Sequence, residues 1–210
     1  MTDAGYISGI RRSLHRFAGR RDGVAAVEFA IILPFMLSLY VGGAELGDGL
    51  SVQFKATLAA RTVADLTSQC GAASSSGQYC DTANGLAIDS TTMNQILGAA
   101  STVMTPYSTA NMVVTVSELE LTGGNGSATV IWSASNTGSG RAIGSSYTLP
   151  AAMQSLQSGT YLILGEVTYP YTPSLGYVLT GTINMYQNAL FFPRNSSCVQ
   201  YNNLCQGPPS

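Results

Sequence analysis

Few side chains in this sequence have the type and spacing to do chemistry, and most of those that do are carboxylates. Glu28 is the single charge in the apolar run Val24 to Ala44, about one helical turn from its start. A carboxylate there gains from the positive end of a helix dipole and loses if lipid surrounds it. It therefore needs a cationic partner, either Arg20 or Arg21 at headgroup level or an amine created close by. Glu118, Glu120 and Glu166 are the other carboxylates with the spacing to pair for acid–base work. Glu118 and Glu120 lie two residues apart, on one face of a strand, where solvated positions are the ordinary reading. The lone histidine, His15, sits among arginines ahead of the apolar run, so no Ser-His or Cys-His nucleophilic pair is available beyond that run. No P-loop or dinucleotide fingerprint occurs. These observations predict a non-enzymatic chain without cofactor.

Cys70 with Cys80 and Cys198 with Cys205 form two close pairs in stretches rich in Gly, Ser or Asn. They lack CxxC spacing and nearby histidines, so two local disulfides are expected rather than a metal site. Such bridges belong in an oxidising compartment. Tyr161, Tyr169, Tyr171, Tyr177 and Tyr186 have the character of either a glycan-stacking patch or a core, and core packing is the simpler expectation.

The elements that position these groups begin with the apolar run itself, 21 residues that as a helix span roughly 31 Å, the thickness of a bilayer's hydrocarbon core. Arg11, Arg12, Arg16, Arg20 and Arg21 all precede it, which places residues 1–23 in the cytoplasm and the remainder outside. Beyond residue 23 four basic residues face nine acidic ones, which argues against nucleic acid as a partner. Pro34 removes a backbone donor within the run and predicts a kink near residues 30–34. From Ala44 to Gln69 the spacing of Leu46, Leu50, Phe54 and Leu58, then Val63 and Leu66, predicts a continuing amphipathic helix that packs one face against a body, with Glu45, Asp48, Lys55, Arg61 and Asp65 on its polar surface. A loop over 71–85, a helix over 91–104 and strands near 112–121, 128–135, 159–171 and 181–192 follow, with a short helical stretch at 150–156. The predicted organisation is a leader over 1–23, a transmembrane and stalk helix over 24–69, and an α+β body with an antiparallel sheet over 70–210.

The run Gly23-Val-Ala-Ala-Val-Glu28-Phe-Ala-Ile-Ile-Leu-Pro34, behind Arg20-Arg-Asp, resembles the prepilin processing motif and, more widely, the opening of TadE/TadG-like proteins. Glu166-Val-Thr-Tyr-Pro-Tyr-Thr-Pro173 and Phe192-Pro-Arg-Asn-Ser196 are similar to recurrent later segments of that family. The resemblance implies a type IV pilin-like fold and a cut by a prepilin peptidase between Gly23 and Val24, making Glu28 the fifth mature residue. It also implies a minor pseudopilin of the short TadE or TadF type, anchored in the bacterial inner membrane with a periplasmic body. Its partners would be other pilins of a tight-adherence pilus, with Glu28 serving assembly. Two other readings remain open: a single-pass envelope sensor or anchor that keeps residues 1–23, and an adhesive module released after Ala44.

Overall fold

The computed structural model describes residues 22–70, 87–122, 126–138, 140–173 and 181–202. The arginine leader with His15, the 71–85 loop, Tyr177, Cys80 and Cys205 lie outside them, as does most of the turn after residue 122. The described residues fall into two compact units, divided in the chain between Gly47 and Asp48.

The first unit contains the N-terminal part of helix α1, which runs from Asp22 to Ser68. Its side chains from Val24 to Tyr40 are all exposed, and the helix is long and apolar enough to cross a membrane. Pro34 sits inside α1 rather than at an end. The missing N–H deprives the Ala30 carbonyl of its helical donor, and the Ser38 hydroxyl donates to the Pro34 carbonyl at 2.7 Å.

The second unit is the remainder of α1 followed by β1 (Ala87–Ile88), α2 (Ser90–Met104), β2 (Val113–Leu121), β3 (Ser127–Ser135), β4 (Ser146–Thr148), β5 (Tyr161–Tyr171), β6 (Ile183–Phe191) and β7 (Gln200–Tyr201). A 3₁₀ turn at Ala151–Met153 replaces the expected helical stretch. The five long-sheet strands run in the order β4-β3-β2-β5-β6, every pair antiparallel, while β1 and β7 form a separate two-residue parallel pair. This is the α+β architecture of a long N-terminal helix and an antiparallel body that the sequence implied. Asp89 caps α2 by accepting the Thr92 N–H at 2.7 Å, and Met93, Ile96, Leu97, Ala100 and Met104 make its buried face.

Both faces of the sheet are covered. On one, α1 and α2 pack over Val114, Val116, Trp132, Ile163 and Val167. On the other, Leu149 and the half-buried Met153 and Leu156 cover Leu119, Leu121, Val130, Leu162 and Leu164. Simple alternation would put Val130 and Trp132 on the same side. A bulge prevents this: Glu118 pairs with Trp132 but Leu119 with Val130, so Ile131 is an extra residue in β3 and the two side chains enter different clusters.

The packing face of α1 is the expected one only toward its C-terminus, where Val63 is buried and Leu66 half-buried against the core. Leu46, Leu50, Phe54 and Leu58 are 60, 57, 72 and 46% exposed, whereas Val52, Ala56, Ala59, Ala60, Val63 and Ala64 are fully buried. The cause is the closeness of helix to sheet. A Cβ on Gly165 in β5 would lie 2.5 Å from the Ala60 carbonyl oxygen and 2.9 Å from Ala64 Cβ, so only small residues on both elements allow this approach, and the large ones turn outward. Glu45, expected on the polar surface, is buried.

Candidate functional site: the long helix and its fastenings

The sequence-predicted site residues of α1 occupy its first turns. Gly23 and Val24 lie in the first turn, where backbone N–H groups have no intrahelical partner and the helix opens most easily. Glu28 follows Val24 by four residues, so the two share a helix face. Helical side chains lean toward the N-terminus, which carries the Glu28 carboxylate back over the turn that Val24 occupies. Glu28 and Val24 are both exposed. An amine at Val24 and this carboxylate therefore have the spacing of a helical ion pair.

Within the second unit, polar side chains fasten α1 at three levels. At Asp48 the carboxylate accepts hydrogen bonds from the Tyr107 hydroxyl at 2.9 Å and the Tyr171 hydroxyl at 3.2 Å. Midway, the Lys55 ammonium donates to the Thr105 carbonyl at 2.5 Å and the Val103 carbonyl at 3.4 Å. At the C-terminus, Arg194 pairs with Asp65 through its side chain and donates its backbone N–H to the Ser68 carbonyl at 2.8 Å. There Asn195 Nδ2 donates to the Gln69 carbonyl at 2.6 Å. The Pro-Arg-Asn segment thus satisfies carbonyls that a helix end leaves open. Sequence reasoning had assigned it no role, and an Arg-Asn pair far from any helix offers no local signal for one.

The carboxylates of the body do not form a catalytic pair. Cross-strand partners share a face; Glu118 pairs with Ile163, and Glu166 with Thr115, so the two point to opposite sides of the sheet. Glu166 is held by Arg141, whose Nε and Nη2 donate to its two oxygens at 2.6 and 2.7 Å, and by the Tyr186 hydroxyl. Arg141 also lies 5.0 Å from the centroid of the Tyr147 ring. The pairing with Glu166 raises the Arg141 pKa further above its ordinary value. Glu118, expected to be solvated, is instead fully buried, because its face of β2 lies in the cluster containing Trp132 and Val199. Burial first, and the neighbouring Glu120 charge last, push its pKa up to about 8.

Tyr169 and Tyr171 are buried in the core, as the simpler reading of the tyrosines held, while Tyr186 stays largely exposed. Cys70 and Cys198 are buried, and no described cysteine is free.

Residues 23–65 match the family model described as TadE-like protein. The matched stretch starts at Gly23, takes in Glu28 and Pro34, and ends within α1 at Asp65, the partner of Arg194. No curated protein and no solved structure matches the chain.

Proposed function

We propose that this chain is a non-enzymatic minor pseudopilin that serves assembly or initiation of a tight-adherence pilus. The observation that carries the reading is the TadE-like match over 23–65, falling on an apolar helix that could cross a membrane. The arginine leader orients that helix with the body on the periplasmic side of the inner membrane. Leu50, Phe54 and Leu58 support contact with other pilins, since they form an exposed apolar ridge at four-residue spacing on a helix otherwise packed through alanines. Release after Ala44 fits poorly, because that bond lies inside a continuous helix. A prepilin peptidase cut between Gly23 and Val24 fits better, at the turn that unwinds most readily.

Mass spectrometry of the mature N-terminus tests this reading. A start at Val24, abolished by Gly23→Asp with membrane insertion retained, is expected. A start at Met1 would make the chain a single-pass anchor or sensor, and a start at Glu45 a released module; either overturns the pseudopilin assignment. The same protein, digested without reductant, is expected to yield Cys70–Cys80 and Cys198–Cys205 peptides. Crossed pairs would refute that connectivity.

A further inference from the structure

Glu118 has no part in the reading above, yet its setting is unusual. It is fully buried in β2 and its two oxygens are treated unequally: Oε1 accepts the Val199 N–H at 2.6 Å, while Oε2 has no hydrogen-bond partner. Its cross-strand neighbour is Trp132, whose indole N–H donates to the Val199 carbonyl at 2.7 Å. Two facing side chains thus hold both polar groups of one backbone residue. Val199 immediately precedes β7, whose pairing with β1 extends over two residues only, and Tyr201 rests against Trp132 with ring centroids 5.4 Å apart. The grip on Val199 is therefore a main attachment of this segment to the sheet.

We infer that Glu118 and Trp132 form a proton-dependent latch on residues 198–202: the neutral carboxyl holds Val199 in place, and its ionisation frees the segment. The Val199 N–H by itself favours the charged form, but burial outweighs that gain and makes the charge costly. Neither ion pair among the described residues involves Glu118. The titratable groups that act on it are Glu120 on its own strand and Tyr161 on β5, neither of them a cation, and Tyr201 beyond Trp132 is likewise an acid. A buried carboxylate with an unpartnered oxygen gains most by admitting water, and the segment above it, held besides by the disulfide at Cys198 and by two residues of β1, is the element that can move between those points. The raised pKa of Glu118 agrees with this placement. The latch does not depend on the pilus reading and holds for any function of the chain.

Trp132 is the sole tryptophan, so its fluorescence reports the latch directly. The full chain in detergent micelles is titrated from pH 6 to 9.5, and amide exchange of residues 198–202 is measured at both ends and corrected for intrinsic rates. A red shift of emission with a midpoint near pH 8, with loss of protection confined to that segment, is expected. Glu118→Gln should keep the low-pH emission and protection throughout. Glu120→Gln, at a half-exposed position, should keep the transition but move its midpoint to lower pH, and it serves if Glu118→Gln is not recovered folded. An unchanged wild-type spectrum across the range, an identical transition in Glu118→Gln, or a midpoint unmoved by Glu120→Gln would overturn the latch.

Discussion

At the scale of single residues, the four-residue step from Val24 to Glu28 determines what each can do. If peptidase action creates an amine at Val24, the carboxylate one turn along is already placed to meet it, in its own chain or a neighbour's. Glu28→Gln keeps size and hydrogen bonding but removes the charge, and a charged hydrogen bond of this kind contributes about 1.5–3 kcal/mol. Recovery in the sheared-pilus fraction should then fall roughly tenfold or more, with the N-terminus still at Val24. Native recovery of this variant, coupled with failure of Arg20→Ala/Arg21→Ala, would assign Glu28 to headgroup pairing instead. The sequence made Glu28 conspicuous because one charge in an apolar run is costly wherever it lies. It left Gly165 unremarked, although a glycine inside a strand is a recognised mark of close backbone approach. Arg194 and Asn195 were legible only as a resemblance, since the helix end they cap is more than a hundred residues away.

At the scale of elements, α1 shows how periodicity can be read correctly and its facing wrongly. Leu46, Leu50, Phe54 and Leu58 do recur at helical spacing, and the helix is there. Size misled the choice of face: Ala56, Ala60 and Ala64 recur at the same spacing, and their smallness lets the backbone settle on Gly165. An exposed ridge of leucine and phenylalanine then becomes a surface to explain. Replacing Leu50, Phe54 and Leu58 by serine should change body stability by no more than about 0.5 kcal/mol per site, as at other surface positions, while pilus-associated recovery drops sharply. Thermal unfolding and shearing of the same preparations decide it. A large loss of stability would mean that the ridge packs within the chain, and unaltered recovery would remove it from assembly.

At the scale of the whole molecule, the α+β class and the four long strands were legible from turn residues and β-branched runs, but the short β1, β4 and β7 and the allocation of strand faces were not. Glu118 illustrates the result, having been placed in solvent by a rule of alternation that ignores what covers the face. Its folded-state pKa lies above its ordinary value of 4.5, at about 8, so the folded chain binds a proton that the unfolded chain has lost between those limits. The contribution of Glu118 to stability is complete below about pH 4.5, declines as pH rises and is gone above about pH 8. Asp89, with its pKa lowered by the hydrogen bonds from Thr92, works in the opposite sense and favours the folded state above the ordinary carboxyl range. Denaturant unfolding of wild type and Glu118→Gln at pH 5.5 and 8.5 separates the two: the wild type should lose more stability over that interval than the variant. Equal losses would show that Glu118 titrates normally.

The bulge at Ile131 gives β3 a reading frame. Residues before it are counted on one parity and residues after it on the other, so Val130 and Trp132 can serve separate clusters. Deleting Ile131 therefore removes the extra count without shifting the frame: Val130 and Trp132 become neighbours, ordinary alternation keeps them on opposite faces, and each retains its partner, Leu119 or Glu118. Ile131→Ala removes the same half-buried side chain and keeps the bulge. The two variants should therefore lower the melting temperature to a similar degree, and a far larger loss on deletion would mean that the bulge, through the twist it gives the strand, itself holds the sheet together.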